Sequence, residues 1–112
     1  MSKISEITFE ELLELYADGQ RDFTRFTIRY TDQDFENGID LSGAKFRGYS
    51  LEDLIYALQN SNLSGADLRS IQFRRANLDR CNLSGAKLNK ATLWRAGLYR
   101  ANLSGANLTG AS

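Results

Sequence analysis

The chain has 112 residues, with fourteen basic and fourteen acidic side chains, no histidine, no proline and one cysteine. That length suits one domain. The single cysteine excludes an internal disulfide framework, and the lack of histidine removes the usual general base and the commonest metal ligand. There is no apolar run long enough to span a membrane and no signal-peptide core at the N-terminus, so a cytoplasmic protein is expected.

Residues 8–18 carry a helix signature. Thr8 is the candidate N-cap, and Glu11 completes a capping box, with Ile7 and Leu12 as a hydrophobic staple. Phe9, Leu12, Leu13 and Tyr16 form one apolar stripe. Gly19 suits the C-terminal cap. Residues 23–30 alternate and are rich in β-formers, which predicts the first strand or two. Residues 33–38 read as an irregular corner.

Beyond these the chain repeats. The residues NLSGA occur at 62–66, 82–86 and 102–106, twenty apart. A related DLSGA stands at 40–44, twenty-two residues before the first. Two residues are therefore inserted, and the stretch 52–57 is expected to bulge out as a loop or short helical turn. Inside the twenty runs a period of five. Large apolar residues fall at Leu63, Leu68, Ile71/Phe73, Leu78, Leu83, Leu88, Leu93, Leu98, Leu103 and Leu108, most with a small residue two places before.

A period of five fits neither a helix nor a strand, so the chain must turn once per unit. Four units then close a square coil, and residues twenty apart stack about 4.8 Å apart. The central residue and the small one face inward. Gly43, Gly48, Gly65, Gly85, Gly105 and Gly110 fall two places after a central residue, at corners where a type II turn needs positive φ. Asn62, Asn82 and Asn102 are expected to stack as an amide ladder. The absence of proline leaves every backbone donor free for coil-to-coil bonds.

Ala66-Asp67-Leu68, Ala76-Asn77-Leu78, Ala101-Asn102-Leu103 and Ala106-Asn107-Leu108 resemble the units of the pentapeptide-repeat family, and Ser61-Asn62-Leu63 and Cys81-Asn82-Leu83 match with a small-residue swap. The resemblance implies an all-β solenoid, a right-handed quadrilateral β-helix of about four coils with an N-terminal α-helical cap. One domain over 1–112 would hold the cap at 1–21, irregular first coils at 22–60 and regular repeats at 61–112. The stretch from Glu11 to Phe23 is similar to the lead-in of some cyanobacterial members. The leucine-rich repeat lacks a strict five-residue subperiod and is rejected.

Cys81 occupies an inward small position and reads as a buried substitute for alanine, because a leucine core stabilises no thiolate. Ser64, Ser84 and Ser104 align but have no base beside them. No catalytic, metal or cofactor-binding residue is expected, and the chain is read as a non-enzyme. Charge is divided instead. Residues 1–60 carry twelve acids and six bases, whereas residues 61–112 carry two acids and eight bases. Arg75 and Arg95 should stack as one column and Arg80 and Arg100 as another, with Trp94 and Tyr99 outward on the same two sides. These six residues form the candidate interaction surface.

Three readings of function follow. The first is a non-catalytic scaffold for protein–protein interaction. The second, implied by the resemblance, is binding to DNA gyrase or topoisomerase by DNA mimicry; such mimics are acidic rods, whereas the repeat region here is basic. The third is a polyanion- or nucleic-acid-binding surface on the arginine columns. A weak homodimer is also expected through Leu103, Ala106 and Leu108 of the last half-coil.

Overall fold

The computed structural model describes residues 5–29, 38–48, 50–52 and 54–112. Of the irregular corner expected at 33–38, only Gly38 falls among them. From Asn62 onward, parallel bridges join residues twenty apart: Asn62 to Asn82 to Asn102, Asp67 to Lys87 to Asn107, Gln72 to Thr92 and Asn77 to Gly97. The step is longer below. Asp40 pairs with Asn62, Lys45 with Asp67, and Asp22 with Lys45. Each inner coil is bonded on both faces. The Leu63 N–H donates to the Asn82 carbonyl above at 2.8 Å, and the Asn82 N–H donates to the Ser61 carbonyl below at 2.9 Å. Such pairing leaves few backbone groups unsatisfied.

Every corner solves the same local problem. The Ala66 N–H donates to the Leu63 carbonyl at 3.1 Å, and the same bond recurs at Ala76, Ala86, Ala96 and Ala106. The third residue of each such turn has positive φ. Gly65, Gly85, Gly105 and Gly110 lie between 66° and 74°, and Asn60, Ser70, Arg75, Arg80, Lys90, Arg95 and Arg100 between 56° and 65°. Positive φ at that position alone is the mark of a type II turn.

The core follows from this. Leu63, Leu68, Phe73, Leu78, Leu83 and Leu88 are fully buried, with Ala66, Ala76, Cys81, Ala86 and Ala91 beside them. Of the pair Ile71 and Phe73, Phe73 is the central residue. Its N–H donates to the Thr92 carbonyl above, as Leu63 does to Asn82, and Ile71 takes the small position. In the stretch where the register lengthens, the N–H groups of Ser50, Leu54 and Ala57 each bond back three residues. These tight turns send Leu51, Leu54, Ile55 and Leu58 into the core and leave Tyr56 outside.

At the N-terminal end, β1 (Ser5–Thr8) runs straight into α1 (Phe9–Ala17), and β1 pairs in parallel with β2 (Phe26–Arg29). Strand β1 was not anticipated, since four residues with one buried side chain, Ile7, carry little pattern. The helix ends match expectation. Thr8 Oγ1 accepts the Glu11 N–H, and Glu11 Oε1 accepts the Thr8 N–H, a complete capping box. At the other end the Gly19 N–H donates to the Tyr16 carbonyl and the Gln20 N–H to the Leu15 carbonyl, with Gly19 at φ 102°. This is a Schellman motif, which the glycine permits. Phe9 and Leu12 are buried in the same core as the repeats. The Tyr16 hydroxyl donates to the Ser42 carbonyl at 2.6 Å and ties the helix to the coils.

Leu83 has Leu63 one coil below and Leu103 one above, so its replacement is a direct test of the inward assignment. A buried unpaired carboxylate costs several kcal/mol, and the lost side chain removes roughly 1.5–3 kcal/mol, against about 5–15 kcal/mol for a whole domain. Leu83→Asp is expected to abolish cooperative thermal unfolding in circular dichroism. A variant melting at the wild-type temperature would contradict the packing.

Candidate functional site

The two positions after each central residue point out of the coil, and on two adjacent sides they are filled by arginine and aromatic residues. Trp94 stands one coil above Arg74, and Tyr99 one coil above Asp79. Arg95, Arg74 and Arg75 place their guanidinium carbons 4.6, 4.8 and 5.5 Å from the Trp94 ring centroid. Arg80 and Arg100 lie 5.3 and 5.4 Å from the Tyr99 ring. Both rings stay open to solvent, Trp94 at 44% and Tyr99 at 57%. The six residues expected to form a surface fall into two groups on neighbouring sides, Arg75 and Arg95 on Trp94 and Arg80 and Arg100 on Tyr99. Leu103 and Ala106 are half-buried and Leu108 is 41% exposed, and all three sit on the last coil outside this cluster.

The charge on this surface is not neutralised. Among the described residues, none of these five arginines forms an ion pair. Residues 61–112 contain only two acids, of which one lies away from this surface and the other is engaged by a backbone N–H within it. Asp67 takes a bidentate pair with Arg69 at 2.8 and 2.7 Å, and these hydrogen bonds hold its carboxyl below the usual range. Asp79 Oδ1 accepts the Tyr99 N–H at 2.9 Å. Each ring–guanidinium contact contributes about 0.5–1 kcal/mol at an exposed site, which offsets part of the repulsion between stacked cations.

Asp79 replaces a missing side chain. Asn62, Asn77, Asn82, Asn102 and Asn107 each turn Oδ1 to the N–H two residues on. In three of them Oδ1 also accepts the Ser64, Ser84 or Thr109 hydroxyl at 2.7 Å. The expected amide ladder is therefore a set of Asx turns, each Oδ1 serving its own coil. Gly97 holds the same position with no side chain, and Asp79 from the coil below serves the orphaned Tyr99 N–H. A Cβ at Gly97 would lie 2.7 Å from Asp79 Oδ1. A side chain here would push the Asp79 carboxylate aside, whereas the corner glycines meet a need for positive φ.

Two contributors escaped the sequence reading. Arg74 lies twenty before Trp94, so its column was available in the repeat. Tyr56 lies where the register is lost, and no count from the repeat reaches it. It is 64% exposed, and with Arg74, Arg75 and Trp94 it lines a surface depression of about 360 Å³.

Cys81 is buried, and its thiol donates to the Leu58 carbonyl at 2.9 Å. Burial pushes its pKa from 9.0 up to about 11, so the nucleophilic thiolate is disfavoured at neutral pH. Among the described residues no cluster of three or more metal-ligating side chains occurs, and no helix is long and apolar enough to cross a membrane.

A family model described as pentapeptide repeats, in eight copies, matches residues 57–95 and 76–112. No curated protein matches the chain. Among solved structures, a pentapeptide repeat protein from the cyanobacterium Cyanothece 51142 is 22% identical with a TM-score of 0.57, over 96% of this chain and 58% of that one. A pentapeptide repeat protein from the Arabidopsis thaliana thylakoid lumen is 21% identical (TM-score 0.46), over 99% of this chain and 66% of the other. One from Nostoc PCC 7120 is 36% identical (TM-score 0.32), covering 99% and 78%. The chain thus spans less than two thirds of the length of the first two. The first likeness supports the right-handed β-helix typical of such repeats.

Two substitutions test these local assignments. Gly97→Ala should displace Asp79 and break its hydrogen bond to the Tyr99 N–H, at about 0.5–1.5 kcal/mol; a melting temperature equal to wild type would contradict the contact. For Cys81, the folded state resists ionisation while the unfolded chain ionises at the ordinary pKa. Stability from this source is intact below pH 9.0 and falls as pH rises toward about 11, by roughly 2–3 kcal/mol. Chemical denaturation across that window should show Cys81→Ala losing less stability than wild type. Parallel curves would refute the buried thiol.

Proposed function

The chain belongs to the pentapeptide-repeat family, and from that premise we propose that it is a non-catalytic scaffold whose basic and aromatic side engages an acidic partner. In this reading the chain is a quadrilateral coil of about four turns, with α1 as its cap. Flat sides then present side chains in a grid set by the period, and specificity lies in what each column carries.

The observation that carries the proposal is the set of five arginines, without an ion pair among the described residues, around two exposed rings. Tryptophan, tyrosine and arginine are the side chains most enriched at the centres of interfaces. Four of the five, Arg75, Arg80, Arg95 and Arg100, also occupy positive-φ corners. That conformation costs an L-residue roughly 1–2 kcal/mol, and glycine would take it freely. Asn60, Ser70 and Lys90 take the same conformation elsewhere, so the corner does not itself demand arginine; what sets these four apart is the charged side they build together.

Gyrase binding by DNA mimicry finds less support. A mimic needs an acidic array, and the acids of this chain concentrate in residues 1–60, whereas Asp67 and Asp79 on the regular coils are both hydrogen-bonded. Binding of a polyanion, the third of the readings, uses the same arginines, and one probe addresses it together with the acidic partner. At low salt the wild type should be retained on heparin, and retention should fall steeply with added salt as counterions are released. Arg→Gln at 75, 80, 95 and 100 should abolish retention while the protein stays folded. Wild-type protein that passes through heparin at low salt would overturn the proposal.

A further inference from the structure

Three exposed aromatic rings gather at the arginine columns: Trp94, Tyr99 and, from the irregular stretch, Tyr56. The Asn77 N–H donates to the Ile55 carbonyl at 2.7 Å, which sets Tyr56 one coil below Asn77. Asn77 in turn pairs with Gly97. The depression of about 360 Å³ therefore spans three coils, with Tyr56 low, Arg74 and Arg75 in the middle and Trp94 at the top. We propose that this depression holds one nucleotide of a single-stranded nucleic acid, its base against the aromatic rings and its phosphate on Arg74 and Arg75. The inference rests on the basic-face reading above and names the partner.

The chemistry favours this occupant over an acidic peptide. Carboxylates would satisfy the guanidinium groups but make no use of the exposed Tyr56 ring, over which no guanidinium of the described residues lies. A nucleotide joins a flat π-surface to an anion in one unit, and the depression alternates the two complementary groups. Surfaces that bind single strands have this composition: a positively charged track interleaved with aromatic platforms. A duplex fits poorly, because its bases are already stacked and the coils offer no helix or ribbon to enter a groove. The volume also suits one nucleotide better than a peptide segment, standing near the lower end of about 300–1,000 Å³ for small-molecule sites. Arg74 is already held against Trp94, and among the described residues no carboxylate pairs with either cation. Tyr99 with Arg80 and Arg100 on the next side would receive the neighbouring nucleotide.

Trp94 is the one tryptophan of the chain, so its fluorescence reports the site directly. The full chain would be titrated at low salt with oligothymidylate and oligouridylate of about eight nucleotides, a length within the range for single-strand sites. Heparin supplies charge without bases, and polyglutamate supplies an acidic peptide. Both oligonucleotides should quench Trp94 saturably, and their relative affinities distinguish DNA from RNA as the source. Tyr56→Ala, at an exposed position, should weaken oligonucleotide binding about tenfold and leave heparin binding unchanged. Arg74→Gln with Arg75→Gln should weaken both. The proposal is overturned if the oligonucleotides bind without quenching, if Tyr56→Ala leaves their affinity unchanged, or if polyglutamate binds as tightly. Binding of heparin or polyglutamate with no binding of either oligonucleotide refutes the nucleotide site alone. No binding by any of the four probes refutes the basic-face reading with it.

Discussion

One positive-φ residue every five positions is the constraint on which the rest depends. It makes the chain turn once per unit, so that four units return it above its starting point and the coil-to-coil ladder can form. A helix satisfies its backbone within itself and a sheet between strands; here the bonds run between coils, and each corner is closed by its own turn bond. Leucine burial supplies the driving force, but burial is non-directional. The corners decide that the buried residues are the third of each five. Glycine meets the constraint without cost on one edge of the solenoid, at Gly43, Gly65, Gly85 and Gly105. On two other edges arginine meets it against steric preference.

That contrast links fold to function. Because the register is twenty, whatever stands at a corner is repeated directly above, and like charges are forced into columns. Arg75 with Arg95 and Arg80 with Arg100 could have been relieved by acids one position away. The coils carry cation–π contacts there instead, which keep the guanidinium groups extended and leave their charge available. The nearest acid, Asp79, repairs the turn at Gly97. An anion approaching this side meets charges already ordered by the rings, which lowers the entropic cost of binding.

The regular coils were legible in the sequence because each unit has the same solution. Leu63, Leu83 and their neighbours were placed inward by period alone, and the capping box of α1 by its Thr8 and Glu11. Legibility failed where the period breaks. Strand β1 is too short for a pattern, and its partner β2 is set by tertiary pairing. Between Lys45 and Asn60 the step changes, so neither the inward turn of Leu54 and Ile55 nor the outward Tyr56 follows from counting. The Asn side chains were misread because stacking of the backbone does not imply stacking of the amides; a nearby N–H two residues on is the stronger partner. Gly97 looked like one more small residue, and its reason lies in the coil beneath. For the candidate site, the arginine columns, Trp94 and Tyr99 were readable, and Arg74 was readable in principle.

The central claim is that the corner arginines serve a partner and not the fold. Replacing Arg75, Arg80, Arg95 and Arg100 together by glycine tests it in one protein. Relief of four left-handed corners returns roughly 1–2 kcal/mol each, opposed by glycine's entropy at about 0.5–1 kcal/mol each and by lost ring contacts at about 0.5–1 kcal/mol each. The sum is near zero. Thermal melting of this variant should therefore stay within a few degrees of wild type while its affinity for heparin disappears. A melting temperature lowered by tens of degrees, or undiminished heparin affinity, would contradict the account.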